Sequence, residues 1–315
     1  MFKYLLYRLG QFLVNFLPVK MSYQFGKFLS NLQFYFSFRD RKAVYNNLLS
    51  ILGPRNDLHA LTQEVFRNFG RYLVEFFRMG KNVDRDFIKK NVTVEHLERL
   101  EDALKKNRGG IALTAHLGNW ELGSVVTTLL GYPLFIIALP HKERPVNDLF
   151  NYQREVKGIT VVPTYMAVRR CYEELKNNKM IALAVDRDFS ASGEVMDFLG
   201  KKTLIPKGAA LFSLRTGAPM IPIFLIREKE NQFRLIVCEP IEPPEEMIGS
   251  SDNRGVLSLM KRYVAVIEEY IRRYPTQWLM FRQYWIDDSI DFHDMAASNG
   301  KAIKDNPSSQ TTIFS

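Results

Sequence analysis

The sequence has two cysteines in 315 residues, which excludes a disulfide framework as the basis of the fold. Cys171 and Cys238 lie far apart in unlike surroundings, as expected for a reducing, cytoplasm-facing protein. His, Cys, Asp and Glu are not clustered at metal-ligand spacings, so we expect no metal and no bound cofactor. An uninterrupted run of the ~20 apolar residues that a membrane-spanning helix needs is also absent, and so is a signal-peptide pattern.

Acidic residues are nearly absent from the first 55 residues, which contain Asp40 against eight Lys and Arg. This segment therefore carries a charge of +7, out of +9 for the whole chain. A basic end beside a nearly neutral body predicts an anionic partner, either a membrane surface or a nucleic acid. Because the sequence contains no nucleic-acid recognition module, we favour an anionic membrane surface and expect no nucleic acid partner.

Residues 2–17 place their large apolar side chains on one face at helical spacing. A basic amphipathic helix rich in Phe and Leu is typical of helices that lie in a membrane interface. The alternative is an ordinary helix packed on the core. The apolar face consists of Phe2, Leu5, Leu6, Leu9, Phe12, Leu13, Phe16 and Leu17.

The pattern of the chain changes near residue 107. Before it, helical patterns cover residues 2–17, 21–37, 40–52, 58–79 and 93–106. After it, short apolar runs alternate with helix-like segments, which predicts an α/β fold with a mostly parallel central sheet flanked by helices. The runs are at 110–115, 133–139, 159–163, 180–185, 219–226 and 233–238. We assign residues 1–107 to a helical membrane-associating region, 108–286 to the α/β core and 287–315 to a disordered tail.

A histidine ends the first apolar run, in the stretch GGIALTAHLGNWELG. Three of the five histidines have a glutamate five residues later, so this spacing alone is not evidence of a site. The pairs His59/Glu64 and His96/Glu101 fall in predicted helices, where five residues place two side chains well apart around the axis. His116 instead ends a predicted strand, at the edge where open α/β sheets bind ligands.

The residues after His116 predict a turn into a helix. Gly118 permits a tight corner, and Asn119 is a suitable N-cap. Glu121 then lies in the first helical turn, where the bend can bring its carboxylate back to the imidazole. A histidine oriented by a carboxylate is a general base for a hydroxyl, so we expect an acceptor hydroxyl to attack an acyl carbonyl. The alternative for His116 is a purely structural, hydrogen-bonded histidine.

Oxyanion stabilisation would come from Asn119 or from backbone amides of the 118–121 corner. Glu194 is a second carboxylate that can reach His116, and it ranks below Glu121. Asp186 and Asp188 flank Arg187 directly after another predicted strand, where they can orient the arginine or bind acceptor hydroxyls. The alternative for these three residues is a solvated turn.

Two further cationic positions are candidates for binding an anionic group. Lys207 and Gly208 begin a predicted helix, where backbone N–H groups and positive charge favour a head group or a carrier phosphate. Arg154 offers a fork of donors for the same purpose, and a surface salt bridge is the equal alternative.

The hexapeptide HLGNWE resembles the His-x4-Asp/Glu signature of bacterial glycerolipid and glycolipid acyltransferases. Over roughly residues 1–285, the chain resembles the lipid A biosynthesis lauroyl/myristoyl acyltransferase family, which includes phosphatidylinositol mannoside acyltransferases. Three further stretches match in the family's order. They are NYQREVKGITVVP with Arg154, the stretch from Asp186 through the Phe198-Leu199-Gly200 corner to Lys207-Gly208, and QWLMFRQYW.

The resemblance implies a monotopic acyltransferase of glycerolipid acyltransferase-like fold on the cytoplasmic face of the bacterial inner membrane. It implies that the co-substrate is an acyl donor, a thioester of either acyl carrier protein or coenzyme A. It also implies that the acceptor is the hydroxyl of a glycolipid such as a lipid A precursor. A phosphatidylinositol mannoside or a lysophospholipid is the alternative acceptor. His116 would be the base and Glu121 its partner, with substrate-binding roles for Arg154, Asp186 and Arg187.

Two other functions remain open at this point. A hydrolase would use the same histidine with water as the acceptor. A non-catalytic membrane-surface protein would keep the basic helix and would be indifferent to changes at His116.

Overall fold

The structure is a computed structural model that describes residues 2–188 and 193–286, so the predicted tail at 287–315 lies outside the described residues. The chain begins with four helices whose bounds agree with the predicted ones to within about three residues. Within the described ranges, no helix is both long and apolar enough to span a membrane. The four helices are α1 (Phe2–Phe16), α2 (Val19–Phe36), α3 (Phe38–Leu52) and α4 (Leu58–Asn82).

The predicted helix over residues 93–106 is wrong. The segment contains a strand whose β-branched residues favour the extended backbone, and then a short helix. His96 lies between them with a left-handed φ of 61°, so it does not share a helix with Glu101. The elements here are α5 (Arg85–Asn91), β1 (Val92–Glu95) and α6 (Glu98–Leu104).

The central sheet has seven strands in the order β1-β9-β8-β2-β5-β3-β4. The five strands from β8 to β4 run parallel to one another, and β9 is antiparallel to β8 but parallel to β1. This confirms the predicted mostly parallel sheet. Its other strands are β2 (Gly110–Thr114), β3 (Leu134–Ala138), β4 (Thr160–Pro163), β5 (Met180–Ala184), β8 (Met220–Lys229) and β9 (Gln232–Val237).

Helices cover both faces of the sheet, because alternate residues of each strand enter different cores. Ile111 and Leu113 of β2 pack with α9, α10 and α11, whereas Ala112 packs with α4, α7 and α8. A hairpin that the sequence analysis did not predict, β6 (Glu194–Phe198) and β7 (Lys201–Ile205), forms a second, two-stranded sheet. The remaining helices are α7 (Trp120–Leu129), α8 (Arg144–Glu155), α9 (Ala167–Lys176), α10 (Gly208–Thr216) and α11 (Asn253–Arg273).

Helices α2 and α4 cross at two glycines. A Cβ atom on Gly70 would lie 2.5 Å from the carbonyl oxygen of Gly26, and one on Gly26 would lie 2.9 Å from the carbonyl oxygen of Gly70. These distances are shorter than a carbon–oxygen contact allows. The two helices therefore pack backbone against backbone at this point.

The segment after α11, which we call the closing segment (residues 274–286), returns to the carboxyl ends of β2 and β5. Leu279 and Phe281 are buried with aromatic residues of α2 and α4, and the Phe281 and Phe66 rings are 4.9 Å apart. The amide of Asn47 in α3 donates to the carbonyls of Met280 and Arg282, both at 3.0 Å. The N-terminal helices thus hold the closing segment against the core.

Candidate active site

His116 and Asp186 lie side by side because β2 and β5 are neighbouring parallel strands. Each residue follows the carboxyl end of its strand by two positions. The Asp186 carboxylate contacts His116 twice: Oδ1 lies 2.8 Å from Nδ1, and Oδ2 accepts the backbone N–H at 2.9 Å. The Asp186 side chain is fully buried, whereas that of His116 is 14% exposed. The imidazole is therefore held at the edge of solvent by a buried carboxylate.

Asp186 receives two further hydrogen bonds from the closing segment. The indole Nε1 of Trp278 donates to Oδ2 at 2.9 Å, and the hydroxyl of Tyr284 donates to the Asp186 backbone carbonyl at 2.7 Å. The backbone N–H of Leu279 also donates to the carbonyl of His116, at 2.8 Å. One segment therefore fixes both members of the pair.

The surroundings of Asp186 keep it ionised. Burial by itself raises the pKa of this carboxyl, but the charge of His116 and hydrogen bonds from His116 and Trp278 outweigh it, and the pKa lies below its usual value. An ionised carboxylate can only accept hydrogen bonds, so Nδ1 of a neutral His116 must carry the proton. Nε2 is then the unprotonated nitrogen, which is the state a general base requires.

The predicted pairing of His116 with Glu121 is wrong, because Glu121 pairs with Arg154. The guanidinium of Arg154 donates Nε to Oε2 at 2.8 Å and Nη2 to Oε1 at 2.5 Å, and both side chains are buried. Trp120 begins α7 and places its ring 4.8 Å from the imidazole. Because consecutive helical residues point about 100° apart, Glu121 faces α8 instead.

This pairing also changes the role available to Arg154. Its surface salt-bridge alternative does not fit, since it is a buried partner of Glu121. Burial lowers the pKa of Arg154, but the Glu121 carboxylate outweighs this and raises it. Arg154 therefore ties α8 to the first turn of α7, and its donors to Glu121 are not open to a substrate.

The Gly118–Asn119 corner folds as predicted but has its donors occupied. Gly118 has a φ of 65°, and a Cβ there would lie 2.1 Å from the carbonyl oxygen of Leu225. Its N–H donates to the carbonyl of Gln277 at 3.0 Å, and the N–H of Asn119 donates to Leu225 at 2.9 Å. Asn119 caps α7 through a bond from the Leu122 N–H. The backbone N–H groups of Gly118 and Asn119 are therefore occupied, and an oxyanion role for the corner stays a prediction for the amides of Trp120 and Glu121.

A second buried ion pair supports this corner. Glu75 of α4 accepts two bonds from Arg227, at 2.6 and 2.7 Å, and one from the amide of Asn119, at 2.7 Å. The hydroxyl of Tyr23 in α2 donates to the same carboxylate at 3.0 Å. Gln277 completes the network with two hydrogen bonds to the backbone of Arg227. The network links the N-terminal helices to both segments that hold His116.

Arg187, Lys207 and Gly208 are the remaining residues that were predicted to bind substrate. Arg187 is buried beside Arg282, and burial followed by the charge of Arg282 lowers the pKa of Arg187 to about 9. Lys207 forms a 3.1 Å ion pair with Glu194, the second carboxylate considered for His116. Gly208 begins α10, and open space lies where its Cβ would be.

Sequence reasoning did not identify Glu75, Arg227 or the roles of Trp278 and Tyr284. A signal existed for Glu75, which is the one acid in the apolar stretch LVEFFRM of α4. Trp278 and Tyr284 lie in QWLMFRQYW, which was matched to a family but was given no chemical role. For Arg227, which follows the apolar run 219–226 and is the last buried residue of β8, we find no local signal that distinguishes it from a surface arginine.

The bacterial lipid A biosynthesis acyltransferase model matches residues 1–286, which include every described residue. The chain belongs to this family. The predicted resemblance is confirmed, and so is the prediction that the protein is an acyltransferase.

The chain is similar to two kinds of acyltransferase and to one solved structure. A phosphatidylinositol mannoside acyltransferase of Mycolicibacterium smegmatis is 27% identical over 252 residues, 78% of this chain and 79% of the relative. A lipid A biosynthesis palmitoleoyltransferase of Escherichia coli is 23% identical over 245 residues, 76% of each chain. The crystal structure of a 1-acyl-sn-glycerophosphate acyltransferase from Thermotoga maritima matches with a TM-score of 0.35 and 20% identity, covering 78% of this chain and 98% of that chain.

Proposed function

We propose that this acyltransferase moves a fatty acyl chain from a thioester to a hydroxyl of a glycolipid, with His116 as general base. The supporting observation is the 2.8 Å contact between Nδ1 of His116 and the buried, ionised Asp186. It leaves Nε2 without a proton and stabilises the imidazolium that forms when the base works. Asp186 takes the orienting role that the sequence analysis gave to Glu121.

The reaction is one acyl transfer in which the proton moves through His116. Nε2 removes the proton of the acceptor hydroxyl as its oxygen forms a bond to the thioester carbonyl carbon. The tetrahedral oxyanion then collapses, and the carbon–sulfur bond breaks. The imidazolium returns its proton to the leaving thiolate, so the products are an ester and a free thiol. No covalent acyl-enzyme is required.

For the donor, we propose an acyl carrier protein or coenzyme A thioester, the two carriers that the family resemblance implies. Arg187 and Arg282, which are both near Asp186, are suited to an anionic group of a substrate that lies close to the base. For the acceptor, we propose a glycolipid, either a lipid A precursor or a phosphatidylinositol mannoside. The second is favoured by the higher identity, 27% against 23%, to relatives that carry that name. A lysophospholipid remains the further alternative.

We also propose that the protein works on the cytoplasmic face of the bacterial inner membrane without spanning it. Helices α1 to α3 expose a large set of apolar side chains next to basic ones, which suits an anionic lipid surface. The exposed set comprises Leu5, Leu6, Leu9, Phe12, Phe16, Met21, Phe28, Leu29, Leu32, Tyr35, Phe36, Phe38 and Tyr45.

The experiment is acyl transfer from palmitoyl-coenzyme A and palmitoyl-acyl carrier protein to each of these acceptors, measured by mass spectrometry. His116→Ala should lower transfer by about 10²–10⁴-fold, the usual contribution of a general base. Asp186→Asn should also be severely slowed, and the two losses should not multiply in the double variant. His59→Ala and His96→Ala are the matched controls and should retain near-normal transfer.

The same assay separates the rival functions. Thioester cleavage that is equally fast without acceptor would indicate a hydrolase. Wild-type transfer by a folded His116→Ala protein would contradict the base assignment and leave His116 with a structural role.

A further inference from the structure

A groove of about 580 Å³ lies between α1, α4 and α8, on the side of the molecule that carries the exposed apolar residues. This volume is within the range of small-ligand sites. No acidic residue is among those that line it. Its floor is formed by Phe77 and Gly80 of α4 and Gln153 of α8, whose Oε1 accepts the Gly80 N–H at 3.1 Å.

Two cations face this groove from different helices. Arg8 comes from α1 and donates to Gln11 at 3.0 Å, and Lys81 comes from the last turn of α4. Both side chains are exposed, and none of the ion pairs found within residues 2–188 and 193–286 involves either of them. The groove therefore presents two positive charges that take part in no ion pair among the described residues.

The rim of the groove is apolar. Phe12 and Phe16 line it, stack on each other at 5.9 Å, and are 63% and 76% exposed. Two cations and two exposed aromatic rings in one groove match the two ends of a bilayer lipid, the phosphate and the acyl chains.

We propose that this groove binds the phosphate head group of an anionic bilayer lipid, which lies with its acyl chains against Phe12 and Phe16. The inference rests on the proposed membrane association and adds a defined lipid site to it. Arg8 and Lys81 would hold the phosphate oxygens, because charge-assisted hydrogen bonds to phosphate are stronger than neutral ones. The bound lipid would fix how the protein is rotated on the membrane.

The test compares vesicle binding of the whole protein on three surfaces. These are phosphatidylcholine vesicles, the same vesicles with phosphatidylglycerol, and vesicles with oleate added to an equal surface charge. The groove variant is Arg8→Gln with Lys81→Gln. The control is Lys20→Gln with Lys42→Gln, which makes the same charge change at exposed residues that do not line the groove.

We expect the wild-type protein to bind phosphatidylglycerol vesicles more tightly than oleate vesicles. The groove variant should lose this preference and bind phosphatidylglycerol about thirtyfold more weakly, since it lacks two cations that each contribute ~1 kcal/mol near an anionic surface. The control variant should keep the preference. Arg8→Gln alone, at an exposed position, should show part of the loss if the double variant does not fold.

Three outcomes would overturn the site. They are equal binding of the wild-type protein to the two anionic surfaces, an equal loss of the phosphatidylglycerol preference in the groove and control variants, and an unchanged preference in the groove variant. If the wild-type protein binds no vesicles at all, the membrane proposal itself fails. Binding to neutral and anionic vesicles alike would leave membrane association standing and remove only the lipid site.

Discussion

Trp278 and Trp285 both lie near Tyr284, but their indole N–H groups differ in what they contact. Trp278 donates to Asp186 Oδ2, whereas the buried Nε1 of Trp285 has no hydrogen-bond partner among the described residues. Replacing each by Phe removes the same atoms from two sites. Comparing the two variants therefore isolates one hydrogen bond to Asp186, the carboxylate that orients the proposed base.

We expect Trp278→Phe to lower kcat by about tenfold or more, because a hydrogen bond to a charged group contributes about 1.5–3 kcal/mol. Its loss should raise the pKa of Asp186, so the acid limb of the kcat/KM profile should move to higher pH. Trp285→Phe should leave the profile in place. Steady-state kinetics from acid to neutral pH measures both variants, and identical profiles for the two would contradict a positioning role for Trp278.

His141 is the histidine whose ionisation is coupled to folding. Burial, followed by the charge of Arg154, lowers its pKa from 6.5 to about 4, and Glu121 opposes this only in part. The unfolded chain therefore binds a proton between pH 6.5 and 4 that the folded chain does not. The contribution of neutral His141 to stability is present above pH 6.5 and is lost as the pH falls to 4.

We expect the free energy of unfolding to fall between pH 7.5 and 5, with about 1–3 kcal/mol due to His141. His141→Gln should flatten this part of the dependence. His59→Gln, at an exposed histidine of α4, is the control and should keep it. Urea denaturation at a series of pH values measures the effect, and an equal slope in the His141→Gln protein would refute it.

At the scale of elements, the crossing of α2 and α4 can be tested with a single methyl group. Gly70→Ala places a Cβ 2.5 Å from the Gly26 carbonyl oxygen, so the helices must separate. We expect a loss of stability of about 1–3 kcal/mol, the usual range for overpacking. In Gly10→Ala, on α1, the new Cβ meets nothing within 4 Å, and the variant should gain up to ~1 kcal/mol from helix propensity. Denaturation midpoints compare the two, and an equally tolerated Gly70→Ala would show that the crossing can relax.

The elements that sequence predicted best are those whose pattern is long or sharply bounded. In the four N-terminal helices and in six strands of the main sheet, the spacing of the apolar residues distinguishes helix from strand. β1 was predicted as helix because four residues are too few to distinguish the two-residue repeat of a strand from the 3.6-residue repeat of a helix. The β6–β7 hairpin mixes charged and apolar residues, since only part of it is buried.

At the scale of the whole molecule, the proposed membrane association places the exposed apolar residues of α1 in the lipid. Replacing Leu9, Phe12 and Phe16 by Ser should release it from anionic vesicles, because each inserted side chain contributes roughly 1.5–3 kcal/mol. Binding by the wild-type protein should weaken as salt rises, given the charge of +7 in residues 1–55. Co-sedimentation with vesicles measures both effects. A folded triple variant that still binds at the wild-type level would mean that α1 has no part in membrane binding.

Only those features of the site that depend on residues close together in the sequence could be predicted. His116 at a strand end, the Gly118 corner and the Asn119 cap follow from neighbouring residues. The pairing of His116 with Asp186 depends on β2 lying next to β5, which are 70 residues apart in the chain with β3 and β4 between them. Strand order is a property of the whole fold, so a local argument chose the nearby Glu121 instead.

The position of the closing segment bears on how the protein is made. Translation delivers α1 before His116 and Asp186, and it delivers Trp278 after both. If the basic, apolar helices bind lipid as proposed, they can do so while the chain is still being made, before the indole that holds Asp186 has emerged. A nascent chain docked in this way would already lie at the membrane before its imidazole is held in place to activate an acceptor hydroxyl.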